Sequence, residues 1–197
     1  MKESKQLILN AAINEFFEMG YDGARVDNIA ARSGLNKAMI YYHFKNKEEL
    51  YICVLESMVD TLITSIRPNM VFSGSIKDKL EKIIDGYAGF FQSNPQFPKI
   101  FFREIASGGT YLKEIFREKM LPIIGFLQYT LKEGVTSGEL KDTDYKFFIL
   151  SVIGPFIIFF LGKPIFEVLL NHEYNENTID EFKQFIFDTV YYGVKKR

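Results

Sequence analysis

The sequence predicts an all-α fold of about nine helices. Apolar residues recur every three or four positions through most of the chain, which is the period of one helix face. Clusters of Gly, Pro, Asn and Ser separate these periodic segments, and capping residues precede several of them. No two segments show the alternation of paired β-strands. The 197 residues suffice for one large domain or two smaller ones with a sizeable core.

The first predicted helix runs from about Ser4 to Met19. Ile8, Ala12 and Phe16 form an apolar stripe at intervals of four residues. A glycine follows Met19 and is the expected stop signal. The stripe therefore predicts one wall of a small helical core.

Two short helices joined by a tight turn are predicted next. Ala30 is small where two helices cross closely, and Gly34 can adopt the positive φ of a sharp turn. Asn36 is a good N-cap for the second short helix, on which Ile40 can pack back against the first. This spacing suits a helix-turn-helix, whose second helix enters the major groove of DNA.

The larger C-terminal part reads as a series of longer helices. Ser75 with Asp78, and Thr178 with Glu181, are capping patterns at two helix starts. Pro122 is expected to kink one long helix. The predicted helices span residues 47–66, 75–94, 98–106, 110–136, 143–164 with a continuation to 170, and a last one from 178.

The net charge of −1 hides an uneven distribution. Between residues 25 and 47 there are five basic side chains and one acidic side chain. A local basic patch on a near-neutral protein suits a DNA-reading face, although it can equally be an ordinary solvated helix surface. The helix-turn-helix pattern favours the first interpretation.

The run IAARSGLNKAMIYYHFKNKEEL closely resembles the DNA-binding segment of the tetracycline-repressor (TetR) family of bacterial regulators. The preceding run ILNAAINEFFEMGYDGARVDNIA resembles the first helix of that family and its Gly-Tyr turn. The match extends from Ile8 to Leu50, and the tail YYHFKNKE in register with the turn makes it specific. The resemblance implies a helix-turn-helix DNA-binding domain over residues 1–47. It also implies a helical effector-binding and dimerisation domain over residues 48–197.

The resemblance also implies a function and a set of contacts. The protein is expected to be a homodimeric transcriptional regulator, a repressor, on double-stranded DNA with a palindromic operator. Lys37 can contact a base edge or a phosphate, and Lys47 matches a recurrent phosphate contact. The DNA-binding residues carried over in this way are Arg25, Asn36, Lys37, Ala38, Met39, Tyr41, Tyr42, His43 and Lys47.

Composition points to a reduced, cytoplasmic setting. Cys53 is the only cysteine, so no intramolecular disulfide can form, and no secretory signal is visible. The apolar run Phe147–Leu161 is shorter than the roughly 20 residues of a spanning helix and contains Pro155. We therefore expect no membrane contact. The run should be buried on two sides, against the core and against a second subunit, so that the last two helices form the dimer interface.

Twenty Phe and eleven Tyr make a heavy aromatic load, most of it beyond residue 70. Ordinary core packing explains most of these residues, and an aromatic-walled pocket for a small, largely apolar effector is the second interpretation. Arg103 and Glu104 could supply polar contacts there or form a surface pair. The candidate lining residues are Tyr87, Phe90, Phe102, Phe126, Tyr129 and Phe156.

An enzyme is not expected, and neither is a cofactor. The two histidines, His43 and His172, lack carboxylate or Cys partners at metal-ligand spacing, so neither a metal site nor a catalytic site is predicted. No phosphate-binding glycine loop and no nucleophile elbow occurs. One alternative to the ligand-released repressor stays open: a DNA-binding scaffold of the same fold that a protein partner controls.

Overall fold

A computed structural model of the chain describes residues 2–196, with the backbone alone at residues 2 and 176. Within that range the chain is all-α, as predicted, and shows no strand, only an isolated bridge between Leu140 and Lys195. The ten α-helices are α1 Lys2–Gly23, α2 Val26–Ser33, α3 Lys37–His43, α4 Lys47–Ile66, α5 Ile76–Ser93, α6 Phe97–Ala106, α7 Thr110–Lys119, α8 Leu121–Thr136, α9 Tyr145–Leu169 and α10 Glu176–Val194.

The tenth helix arises where one kinked helix over residues 110–136 was predicted. That prediction was wrong, because α7 ends at Lys119 and α8 begins at Leu121. Pro122 lies in the first turn of α8, where its missing N–H has no helical partner to lose. By contrast, α9 continues through both Pro155 and Pro164.

Side-chain caps account for several helix starts. The predicted capping box is present at α5, where Ser75 and Asp78 bind each other's backbone N–H groups. The box predicted for the last helix was displaced by one turn. Asn175 is the N-cap of α10 and Thr178 closes the box as its third residue.

The described residues pack as two compact units. The first comprises the residues up to 61 together with 99–118, and the second comprises 62–98 together with the residues from 119 onward. The division falls inside α4, and most of α6 with all but the last residue of α7 belongs to the first unit. Packing units and functional domains need not coincide, so the functional boundary after residue 47 stays a prediction.

The core of the first unit is the predicted three-helix core. α1 packs on α2 and α3, and α2 packs on α3. Ile8, Phe16, Ile29, Ile40 and Phe44 are all buried there. These apolar side chains fix the positions of the short helices and leave their other faces to solvent.

The core of the second unit is built around α5. This helix packs against α8, α9 and α10, and α8 packs against α9. Leu80, Ile83, Tyr87 and Phe91 are buried along α5. The rings of Phe91 and Tyr87 both stack on Phe156 of α9, with centroids 6.3 and 6.2 Å from it.

The opposite side of α9 is apolar and exposed. Phe147, Leu150 and Ile158 expose 69%, 65% and 52% of their surface in the isolated chain. Among the described residues, α9 is also the one helix long and apolar enough to cross a membrane by length and composition. We interpret the exposed face as the surface that a second copy of the chain covers, since such a patch favours association.

The protein should therefore be a stable dimer at micromolar concentration, and Leu150→Arg should weaken it. A charge placed at a buried interface position costs on the order of 2 kcal/mol or more, about 30-fold in dissociation constant. Analytical ultracentrifugation measures this, with the equally exposed Leu121→Arg of α8 as control. A wild-type protein that sediments as a monomer would disprove the interpretation of α9.

Candidate functional site

The turn between α2 and α3 has the geometry that the sequence predicts. Gly34 lies in the left-handed region at φ 70°, and no described atom lies within 4 Å of the point where a Cβ would stand. Glycine is therefore required there by backbone conformation rather than by space. Asn36 caps α3 by accepting a hydrogen bond from the Met39 backbone N–H at 2.9 Å.

A buried carboxylate from α1 holds the start of α2. Glu15 is fully buried, and its Oε1 accepts hydrogen bonds from the Arg25 backbone N–H at 3.1 Å and the Asn28 side chain at 2.9 Å. Its Oε2 lies 3.3 Å from Nε of Arg32. Glu15 thus binds the backbone N–H of the N-cap residue Arg25 and the side chain of Asn28 in the first turn, so it ties α1 to the start of α2. Glu15 was not among the residues predicted from the sequence, and an acid directly beside the buried Phe16 was the available signal.

The nine predicted DNA-binding residues lie on α3 and the segments flanking it. Arg25, Asn36, Lys37 and Ala38 are exposed, as are Tyr41 and Tyr42 at 48% and 67%. Met39, His43 and Lys47 are half-buried. The structure thus leaves all nine side chains at least partly accessible, and their contacts with DNA stay predictions.

Besides the cap at Asn36, the side chains of Lys37, Lys47 and His43 make polar contacts within the chain. Lys37 Nζ lies 2.9 Å from a carboxylate oxygen of Asp27, and this hydrogen bond raises the pKa of Lys37. Lys47 Nζ donates to the backbone carbonyl of Asp22 at 3.2 Å and lies 4.8 Å from the Tyr21 ring centroid. His43 Nε2 lies 2.8 Å from Ser4 Oγ. Lys37 and Lys47 are therefore both held by intramolecular contacts in this conformation.

The six predicted ligand-binding residues do not form one cluster. Tyr87, Phe90, Phe126 and Phe156 are buried in the second unit, and Tyr129 of that unit is 47% exposed. Phe126 and Tyr129 both contact the ring of Phe72, at 5.1 and 5.5 Å between centroids. Phe102 is 46% exposed and belongs to the first unit. The role of these residues in binding stays a prediction.

Arg103 and Glu104 do not form the surface pair that was one of their two interpretations. They belong to the first unit, where they border a half-open cavity with Tyr51 and Tyr111, and a polar contact with an effector stays a prediction. Glu104 is 4% exposed, and Arg103 donates hydrogen bonds to backbone carbonyls of α1.

The core of the second unit contains buried polar groups, of which only Tyr87 was predicted from the sequence as a candidate lining residue. Lys79 of α5 is 1% exposed, and its Nζ lies 2.6 Å from Oε2 of Glu133 in α8. The Tyr87 hydroxyl and Thr130 Oγ1 are buried without a hydrogen-bond partner among the described residues. A buried hydroxyl without a partner costs about 1–3 kcal/mol. Such groups mark a place where another molecule can supply the missing partner.

A half-open pocket of about 320 Å³ lies at the C-terminal end of α5. Apolar side chains make most of its wall, including Phe91, Phe159, Phe160 and Ile179, and Lys163 stands among them. None of the six predicted lining residues borders it. Within the described residues no group of three or more His, Cys, Asp or Glu side chains is placed to hold a metal ion.

A helix-turn-helix on a three-helix core, joined to a larger helical unit, defines a DNA-binding regulator. Residues 8–53 match the family described as bacterial regulatory proteins, tetR family. Residues 76–192 match the C-terminal domain of the HTH-type transcriptional dual regulator CecR. The chain belongs to the TetR family of bacterial transcriptional regulators.

Relatives agree with this assignment. The uncharacterized HTH-type transcriptional regulator YhgD of Bacillus subtilis is 28% identical over 147 residues, 72% of this chain and 74% of YhgD. A fatty acid metabolism regulator protein of the same species is 25% identical over 68% of this chain and 70% of its own. Among solved structures, FadR from Bacillus subtilis in complex with stearoyl-CoA superposes with a TM-score of 0.75. It covers 96% of this chain and 98% of FadR at 20% identity, a similarity of fold.

DNA binding should depend on Lys37, Tyr42 and Lys47 in two different ways. Lys37→Ala or Tyr42→Ala should cost on the order of 1–3 kcal/mol at a specific site, because these side chains are predicted to contact base edges in the groove. Lys47→Ala should weaken binding to all sequences and reduce the salt slope by about one unit, because a phosphate contact is lost.

Fluorescence anisotropy over a salt series measures both effects. The duplex is first selected from a random-sequence library by the wild-type protein. Lys113→Ala, at an exposed position of α7, is the matched control. The assignment of the DNA-binding face fails if all three variants bind the selected duplex like the control.

Proposed function

We propose that this regulator is a cytoplasmic repressor that binds a palindromic operator as a homodimer and is released by a small, largely apolar ligand. Residues 1–47 would read the operator, and residues 48–197 would bind the ligand and the second subunit. The accessible side chains of α3, including Lys37, and the partly accessible Lys47 at the start of α4 support the first role. The exposed apolar face of α9 supports the second.

The proposed ligand is a long-chain fatty acyl compound, a thioester or the free acid. One observation carries this: two hydroxyls, of Tyr87 and Thr130, are buried without partners among the described residues of an otherwise apolar core. Burial raises the pKa of the Tyr87 phenol above its ordinary value, so the group stays protonated and can donate a hydrogen bond. An acyl carbonyl oxygen is an acceptor that would satisfy it.

One side of α5 changes from polar to apolar along its length, which suits a molecule with one polar and one apolar end. Lys79, Ile83, Tyr87 and Phe91 recur every four residues, so they lie on one side of the helix. Twelve residues at the helical rise cover about 18 Å. Lys79 makes one end polar, and Phe91 at the other end borders the apolar pocket. An acyl chain would lie along this side with its head group toward Lys79.

The relatives support the same class of ligand. The names of one regulator and one superposed structure refer to fatty acid metabolism and to stearoyl-CoA. For this chain the acyl ligand is our proposal. It would enter a core that is closed in the present conformation, where Tyr87 and Phe156 are almost fully buried.

Release from DNA would require the ligand to distinguish two conformations. A ligand that binds both states equally shifts nothing, however tightly it binds. A shift from 1:99 to 99:1 needs a preference of roughly 10⁴-fold. In the proposed mechanism the ligand separates the helices around α5 and moves α4, which contributes residues to both units.

Stearoyl-CoA should raise the melting temperature and lower the affinity for the selected duplex, and free CoA should do neither. Ligand that binds only the folded protein stabilises it by mass action. Tyr87→Phe should reduce the affinity for stearoyl-CoA about five-fold, the value of one hydrogen bond near 1 kcal/mol.

Calorimetric titration and anisotropy measure these effects, and Tyr145→Phe removes an exposed hydroxyl as the control. Removing the unpartnered hydroxyl of Tyr87 should not lower stability in the absence of ligand. If no acyl compound changes the melting temperature or the DNA affinity, the acyl proposal fails and control by a protein partner takes its place.

A further inference from the structure

The C-terminal end of the first segment of α1 is bound by an arginine from α6. Gly20 interrupts α1 at φ 72°, so carbonyls of the preceding turn lack the partners that a continuing helix would supply. Arg103 Nη1 donates to the Phe17 carbonyl at 2.8 Å and to the Phe16 carbonyl at 3.3 Å. A cation at a helix C-terminus also interacts favourably with the helix dipole. Arg103 therefore caps α1 from a distant part of the chain.

The next residue, Glu104, binds two further helices. Its Oε2 accepts a hydrogen bond from the Tyr51 hydroxyl of α4 at 3.1 Å, and its Oε1 accepts one from the Tyr111 backbone N–H at the start of α7, at 2.9 Å. The Tyr111 hydroxyl in turn donates to Glu48 in the first turn of α4 at 2.9 Å. Residues 99–118, which we name the α6–α7 corner, are thus hydrogen-bonded to α1 through Arg103 and to α4 through Glu104 and Tyr111.

Apolar packing and hydrogen bonds both hold this corner. Ile100, Leu112 and Ile115 are buried. On another side, Arg103, Glu104, Tyr51 and Tyr111 border a half-open cavity of about 460 Å³ within the first unit. Close packing is incomplete at that cavity, so the hydrogen bonds of Arg103 and Glu104 contribute to the position of the corner there. Burial and the nearby charge of Glu104 raise the pKa of Tyr51, which keeps that hydroxyl a donor.

The same cluster reaches the predicted phosphate contact. The ring of Tyr21 lies 4.9 Å from that of Tyr51 and 6.0 Å from that of Tyr111, measured between centroids. Lys47 Nζ lies over the other side of this cluster, 4.8 Å from the Tyr21 centroid. A displacement of the corner would therefore disturb the surroundings of Lys47 as well as the end of α1.

From these contacts we infer that Arg103 and Glu104 are positioning residues for operator recognition. They hold the end of α1 and the start of α4 in the arrangement that presents α3 and Lys47. The inference rests on the DNA-binding role of the first unit and is independent of the proposed effector. Neither side chain is required to touch DNA.

Binding to the operator and binding to unrelated DNA should respond differently to loss of the hydrogen bonds made by Arg103 and Glu104. A dimer must place two reading helices about one helical turn of DNA apart, so operator binding depends on their positions. Non-specific binding depends mainly on the number of cationic contacts with phosphates. A positioning defect therefore lowers operator affinity much more than affinity for unrelated DNA.

Arg103→Met in the full-length protein tests the arginine. Arg117→Met is the matched control, since Arg117 is 75% exposed and its side chain pairs with Glu114 in the same helix. We expect Arg103→Met to lower affinity for the selected duplex at least about ten-fold more than the control does. Affinity for an unrelated duplex should stay within about two-fold of the control. Arg103→Lys should recover much of the loss, because its ammonium can donate to the same carbonyls.

Tyr51→Phe tests the carboxylate with less risk to folding, because it keeps the ring and removes the hydroxyl that Glu104 accepts from. We expect a loss of operator affinity of about three-fold or more, without an equal loss on unrelated DNA. Equal losses on both duplexes in Arg103→Met would show a merely structural role and overturn the inference. The inference would also be overturned if Arg103→Met bound the operator as well as the control Arg117→Met does. If Tyr51→Phe bound the operator like the wild-type protein, the positioning role of Glu104 would be disproved.

Discussion

The left-handed backbone at Gly20 is the constraint on which the DNA-binding unit depends. It stops the first segment of α1, which leaves carbonyls at Phe16 and Phe17 for Arg103 to bind. It also turns the chain so that the Asp22 carbonyl can accept a hydrogen bond from Lys47. The chain then reaches Arg25, the N-cap residue of α2, whose backbone N–H donates to the buried carboxylate of Glu15. One glycine thus sets the end of one helix and the start of the next.

Buried polar groups occur in both units. In the first, Oε1 of Glu15 and both carboxylate oxygens of Glu104 accept hydrogen bonds, while Oε2 of Glu15 is buried without a hydrogen-bond partner and lies 3.3 Å from Nε of Arg32. In the second, Nζ of Lys79 binds Glu133, and the hydroxyls of Tyr87 and Thr130 are buried without a partner in the described chain. Both hydroxyls lie in the unit for which we propose a ligand, and a polar group of that ligand would supply the partner.

The features that could be predicted from the sequence are those determined by residues close together in the chain. Gly34, Asn36 and Ile40 predicted the helix-turn-helix because each acts within a few residues of itself. The break at Met120 was missed because Pro122 fits a helix start as readily as a kink. The contact of Arg103 with Phe17 joins residues 86 positions apart, and that of Glu104 with Tyr51 joins residues 53 apart. No spacing of residues along the chain indicates such pairs. For that reason Arg103 and Glu104 were interpreted from the sequence as pocket residues or as a surface pair.

The most direct measurement is a crystal structure of the full-length dimer bound to its selected operator duplex. We predict that Arg103 Nη1 stays within about 3 Å of the Phe17 carbonyl oxygen in that complex. We also predict that Glu104 keeps its hydrogen bond with Tyr51 while α3 lies in the major groove. An operator complex in which Arg103 has turned away from α1, with α3 still seated in the groove, would contradict the positioning role of Arg103.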